Sequence, residues 1–219
     1  MNSPAVFRYF RRLASGDTES WKYLPYQLTM FYRSIDLSGV NPRDMGLSEE
    51  RSFGYRNSGG PDLDKLLQTL PICRSDAVLD VGCGKGGAML TLAKYPFVRV
   101  DGIELSPQLA RTAQHNLRRS RISNTTIYCG DATDFIDLDT YTYFYIYNPF
   151  PEVIMRSVIG NIVFSLKKRN RKATLIYKNP QMNNLIVDAG FRKVTETRQT
   201  HHPFAIYVWE SVSNSTSQE

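Results

Sequence analysis

The chain is poor in the residues that secreted, membrane-bound and metal-dependent proteins rely on. No apolar run approaches the ~20 residues of a membrane-crossing helix, so no membrane partner is expected. Cysteine occurs only at Cys73, Cys83 and Cys129, an odd number at spacings that suit no metal site. Reduced thiols and a cytoplasmic location follow as expectations. Histidine occurs only at His115, His201 and His202, and no third ligand stands at a suitable distance, so no metal is expected. The opening stretch MNSPAVFRYFRRLASGD carries arginines inside a short apolar segment, which excludes a secretory signal. It has no acid before Asp17, so it fits either a mitochondrial presequence or a short amphipathic helix docked on the domain. The sequons at Asn124 and Asn214 therefore carry little weight.

What is present describes a globular domain. Hydrophobic residues make up 42% of the 219 positions and aromatics 12%, enough for a substantial core. The net charge of +6 invites a nucleic-acid partner, but its placement argues otherwise. The clusters RRSR (118–121) and KKRNRK (167–172) each fall between a helix end and the next strand. In an open α/β sheet that edge lies opposite the ligand site. Arg8, Arg11, Arg12, Arg43, Arg51 and Arg56 remain candidates for lining a substrate groove. A nucleic-acid partner stays open and is not favoured.

From residue 75 strand and helix patterns alternate. AVLDVG (77–82), VRVDGIEL (98–105), TTIYCGDA (125–132), YFYIYN (143–148) and ATLIYKN (173–179) read as strands. Between them fall helical patterns: Gly86 to about Tyr95, a helix from Ser106-Pro107 to about Ser120, one opening with Pro151 at its first position, and a short one ending at Gly190. PDLDKLLQTLP (61–71) reads as a further helix. Two strand-like runs at about 191–199 and 204–211, with no helix between, predict an antiparallel hairpin. The expected fold is α/β: a doubly wound, mostly parallel seven-stranded sheet with a C-terminal antiparallel hairpin, plus an N-terminal helical lid. The expected organisation is a lid over 1–60, a domain over 61–211 and a disordered tail over 212–219.

The stretch VLDVGCGKGG (78–87) puts an acid at the end of a buried strand and four glycines after it. Glycine permits a tight turn and lets a ligand lie against bare backbone. A dinucleotide pyrophosphate, another adenosine compound, or a plain strand-to-helix turn would each use it. Glu104 ends the second strand twenty residues beyond Gly84, where a carboxylate can accept both ribose hydroxyls. Asp131 follows Gly130 at the end of the third strand and can accept from an adenine amino group.

On these residues the sequence resembles the seven-stranded, Rossmann-like S-adenosylmethionine-dependent methyltransferases. LDVGCGKG resembles their first motif, IELSP their ribose-binding strand end and CGDATDF their adenine motif. The resemblance implies S-adenosylmethionine as cofactor. It implies that Asp80 and the carbonyl near Gly82 hold the methionine ammonium, within a loop that includes Cys83 and Gly84. Glu104 and Leu105 would hold the ribose, Asp131 and Ala132 the adenine. Lys85 and the early third glycine, Gly86, separate this pattern from that of dinucleotide dehydrogenases. A looser likeness runs to the non-SET histone-lysine methyltransferases and their bacterial relatives, through FGYRNSGGPDLDKLLQTLP, and it places Tyr55 over the cofactor. YNPFP (147–151) is similar to the N-P-P-Y motif of enzymes that methylate planar amines, with Phe150 and Pro151 departing from it. Asn148 would orient the nucleophile, and Tyr147 or Phe150 would face the sulfonium. A stiff turn into the next helix explains the same residues. The acceptor, a small molecule or a protein amine with RNA as the alternative, is left unidentified, as is a purely regulatory role for a cofactor-binding domain.

Overall fold

The computed structural model describes residues 21–41, 54–147, 150–197 and 202–211. The first complete helix among the described residues, α1 (Leu24–Tyr32), leads into a strap whose Val40 forms an antiparallel bridge with Tyr55. There follow α2 (Pro61–Leu67), β1 (Ala77–Val81), α3 (Gly87–Leu92), β2 (Arg99–Glu104), α4 (Pro107–Arg119) and β3 (Ile127–Cys129). The second half runs β4 (Tyr143–Tyr147), α5 (Glu152–Lys168), β5 (Ala173–Lys178), α6 (Asn183–Asp188), β6 (Arg192–Glu196) and β7 (Phe204–Trp209). The expected tail, the opening segment, Asn148, Arg43, Arg51 and His201 lie outside the described residues. Among the described residues no helix is long and apolar enough to cross a membrane.

The seven strands form one sheet in the order β3-β2-β1-β4-β5-β7-β6. β1 to β5 pair in parallel, while β7 runs antiparallel to β5 and to β6. The expected hairpin is therefore present, with its second strand inserted between β5 and its first. β6 closes that edge with all five residues exposed. Its sequence, RKVTE, carries charge on an edge that would otherwise invite pairing with another chain.

Strand alternation sorts the core into two layers. Tyr145, Ile176 and Ile206 face Leu63, Leu67, Met89 and Leu92 from α2 and α3. Phe144, Ile146 and Leu175 face Met155, Val158, Ile162 and Leu166 of α5, with Leu185 and Ile186 of α6 beside them. Each such side chain contributes about 1.5–3 kcal/mol on leaving water. β4 sits at the centre of the sheet and its Phe144, Tyr145 and Ile146 are fully buried, as its unbroken aromatic run requires.

Helix ends obey local chemistry, with one correction. The Ser106 hydroxyl caps α4 by accepting from Leu109 N at 3.4 Å, and Pro107 stands at the first helical position. Pro151, expected at the first position of α5, is instead its N-cap, with φ −59° and ψ 162°. Its extended ψ turns the chain before the helix begins, so Glu152 opens the first turn, where an acid complements the helix dipole. The basic cluster at 167–172 is largely consumed by structure. The Arg171 guanidinium donates to the carbonyls of Leu138, Tyr141, Ser165 and Arg169 at 2.8–3.2 Å. Lys168 and Arg169 pair with Asp139, and Lys172 pairs with Glu210.

Candidate active site

Strand order reverses between β1 and β4, and a cleft of about 250 Å³ opens at the carboxyl ends of the strands there. Its walls include Gly82, Cys83 and Gly84 after β1, Glu104 and Leu105 after β2, and Asp131 and Ala132 after β3. Tyr55 comes from the strap, and Tyr147 and Phe150 from the end of β4. Ten of the residues singled out from sequence thus meet in one cavity. Asp80 lies within β1 and is only 3% exposed. Asn148 is outside the described residues.

The glycine loop is shaped by two constraints. The amides of Gly82 and Cys83 both donate to Ile103 O, at 2.9 and 3.0 Å, which folds the loop back against β2. Gly84 has φ +55°, and a Cβ there would stand 2.1 Å from the Tyr55 ring. Only glycine meets both conditions, so the Tyr55 ring packs directly against the loop as a roof.

Lys85 explains why a lysine stands among glycines. Its ammonium is buried and bonds Asp36 at 2.7 Å and Ser38 Oγ at 2.9 Å in the strap. The fully buried Asn116 of α4 completes the junction. Its amide nitrogen donates to Asp36 O and Lys85 O, both at 2.9 Å, and its oxygen accepts from Asp36 N at 3.1 Å. Neither Asp36 nor Asn116 has a motif around it, and sequence reading missed both. Ser58, Ile154, Asn179 and His202, which also line the cleft, were likewise not assigned to the site or were left without a firm role.

The electrostatics divide the cleft. Glu104 accepts from Gly84 N through one oxygen and from Ser106 N through the other, each at 2.8 Å, and its carboxylate keeps acceptor capacity toward the cleft. Burial raises its pKa, and those backbone bonds pull it back. Asp80 has no such help. Its Oδ2 is buried with no partner among the described residues, and burial, then the Glu104 charge, hold its carboxyl well above the ordinary range. Asp131 Oδ1 accepts from the amide and hydroxyl of Thr133 at 2.9 and 2.8 Å. At the other end Tyr147 meets the His202 ring edge-on, with centroids 5.8 Å apart. Lys178 sits 5.1 Å from the Tyr147 and Phe204 ring centres and donates to Ser58 O at 3.2 Å. Burial pushes the Lys178 ammonium down to about 8.

An adenosyl amino acid fits this set. Orphaned Asp80 calls for a cationic partner, Glu104 offers two acceptor sites for vicinal hydroxyls, and the glycine loop offers bare main chain.

Comparison with known proteins agrees with that geometry. Residues 78–169 match the family described as Methyltransferase domain. The protein named Probable cobalt-precorrin-6B C(15)-methyltransferase (decarboxylating) of Methanococcus vannielii is 38% identical over 72 residues, 32% of this chain and 38% of its own length. The human tRNA (uracil-5-)-methyltransferase homolog A is 41% identical over 131 residues, 58% of this chain and 20% of its own length. The matches therefore span less than half of either relative. The crystal structure of a SAM dependent methyltransferase from Aquifex aeolicus superposes with a TM-score of 0.55 at 16% identity, covering 67% of this chain and 88% of that one. Sheet order, glycine loop and family match converge: residues 78–169 match a methyltransferase domain, and the fold is the Rossmann-like α/β fold seen in S-adenosylmethionine-dependent methyltransferases.

Proposed function

We propose that the chain binds S-adenosylmethionine in this cleft and transfers its methyl group to an acceptor lodged at the β4–β5 end. The carrying observation is the buried, unpartnered Oδ2 of Asp80 directly before the glycine loop. An ionised carboxylate there is costly alone and becomes favourable beside an ammonium. In this reading Glu104 accepts the ribose hydroxyls, Asp131 and Ala132 read the adenine, and Tyr55 roofs the donor. Bound there, the sulfonium would supply an electrophilic methyl, and its positive charge would pass from sulfur to the acceptor. A neutral acceptor then sheds a proton to solvent after the transfer, so the chain's contribution is positioning and exclusion of water. Tyr147 and Phe150 wall the reacting end for that purpose. Residues 61–211 serve as the catalytic domain and residues 1–60 as the lid that helps select the acceptor. The free thiols of Cys73, Cys83 and Cys129 suit work in the cytoplasm.

RNA is the second reading, favoured by the likeness to a tRNA methyltransferase. It is weakened by the ion pairs that occupy most of the cluster at 167–172. Calorimetry on the purified chain with S-adenosylmethionine and S-adenosylhomocysteine is expected to show one-to-one binding, and absence of heat from both overturns the proposal. Labelled methyl donor added to a fractionated lysate should then mark the acceptor fraction.

A further inference from the structure

The two ends of the cleft differ in charge as well as in shape. Every carboxylate among the described lining residues, Glu104 and Asp131, lies at the β2–β3 end. The β4–β5 end is lined by Arg56, Tyr147, Phe150, Asn179 and His202, with no acid among them. Arg56 is exposed and forms no ion pair among the described residues, and its charge acts on the Tyr147 hydroxyl across the cleft. Lys178 adds a second cation behind the Tyr147 ring. Two aromatic side chains beside a guanidinium that forms no ion pair among the described residues make a receptor for a flat molecule that carries an anion.

We infer that the methyl acceptor is a small aromatic compound bearing a carboxylate or phosphate, and that Arg56 is the residue that selects it. The inference rests on the proposed donor site and names the chemistry of its second substrate. Arg56 donates two parallel hydrogen bonds to the anionic group, while Tyr147 and Phe150 hold the ring. A small acceptor fits better than RNA, because the cleft holds about 250 Å³ and the basic clusters at 118–121 and 167–172 lie at the other edge of the sheet.

The test uses the full chain saturated with S-adenosylhomocysteine, whose own binding is measured first. 4-Hydroxybenzoate, indole-3-acetate, quinoline-2-carboxylate and phenyl phosphate are then titrated beside the primary amides of the three carboxylates and phenol as the uncharged match for the phosphate. The expected result is that at least one anion binds about tenfold more tightly than its uncharged counterpart, as a charge-assisted bond warrants. Arg56→Gln should abolish that preference while changing homocysteine-compound affinity by less than about threefold, as an exposed side chain outside the donor's own contacts allows. Carboxylate-only or phosphate-only preference identifies which anion is meant. Equal binding of anions and uncharged counterparts, or binding of none while the homocysteine compound binds, overturns the inference and spares the donor site. Loss of homocysteine-compound affinity in Arg56→Gln with the anion preference intact also overturns it, by assigning Arg56 to the donor's own carboxylate. Salt-sensitive binding of a single-stranded RNA twelve-mer at this end, lost in Arg56→Gln, overturns it in favour of RNA. No binding of the homocysteine compound sinks both readings together.

Discussion

Asp80→Asn should make the protein more stable and less competent at the same time. In the folded chain Asp80 is 3% exposed, its Oδ2 has no partner, and burial and Glu104 both oppose its ionisation. A carboxyl whose folded pKa is raised holds its proton more tightly in the native state than in the unfolded chain. Native stability is therefore undiminished below the ordinary value of 3.8 and declines as pH rises from there through the raised folded value. Each unit of that rise costs about 1.4 kcal/mol. Asparagine keeps the shape and cannot ionise, so near neutral pH the variant should escape that linkage cost and gain about 1.4 kcal/mol for each unit of the rise. For a chain of this size that is about 2–4 °C in Tm per kcal/mol. The gain should vanish at pH 4. Donor affinity should move the other way, falling about 10–150-fold with the loss of a charge-assisted bond worth about 1.5–3 kcal/mol. Calorimetry in buffers of different ionisation enthalpy adds a third signature. Wild-type binding should release a proton from Asp80, and the variant should release none. A variant less stable than wild type at pH 7.5, or unchanged in donor affinity, would refute the assignment of Asp80 as a buried carboxyl that gives up its proton only when a cation arrives.

Three further outcomes are expected. Gly102→Ala would set a Cβ 2.7 Å from Cys83 and Met89, so thermal melts should show a loss of about 1–3 kcal/mol, and donor affinity should fall as the glycine loop is pushed outward. Asn116→Ala deletes three hydrogen bonds and strands the Lys85 carbonyl, so denaturant titration should show a loss of about 2–3 kcal/mol, with amide exchange accelerating around Ile35 to Val40 before the sheet is affected. Arg171→Lys retains the charge but cannot reach the carbonyls of Leu138, Tyr141 and Ser165 together, so it should cost about 1–3 kcal/mol in the same titration, whereas Lys167→Ala should fall within about 0.5 kcal/mol of wild type.

The strands were readable because burial on both sheet faces forces continuous apolar runs, of which Tyr143–Tyr147 is the plainest. Their tips were readable too, since Gly82, Glu104 and Asp131 each interrupt or end such a run. The strap was not. Asp36 reads as a solvated acid and Asn116 as the polar side of an amphipathic helix, and only the fold brings them to Lys85 from positions 49 and 31 residues away. Arg171 was legible as charge, but a sequence does not display the carbonyls that surround it. The shift of Pro151 from first position to N-cap is a matter of one ψ angle, which proline's fixed φ leaves free.

The bond between Lys85 and Asp36 has a practical corollary for anyone trimming this protein. A fragment cut to the recognisable family segment, 78–169, would discard the counter-charge that anchors the first motif, the aromatic roof above it and three strands of the sheet. The piece most easily identified by homology is thus not a self-sufficient unit, and the geometry of its hallmark loop is dictated from outside its own borders.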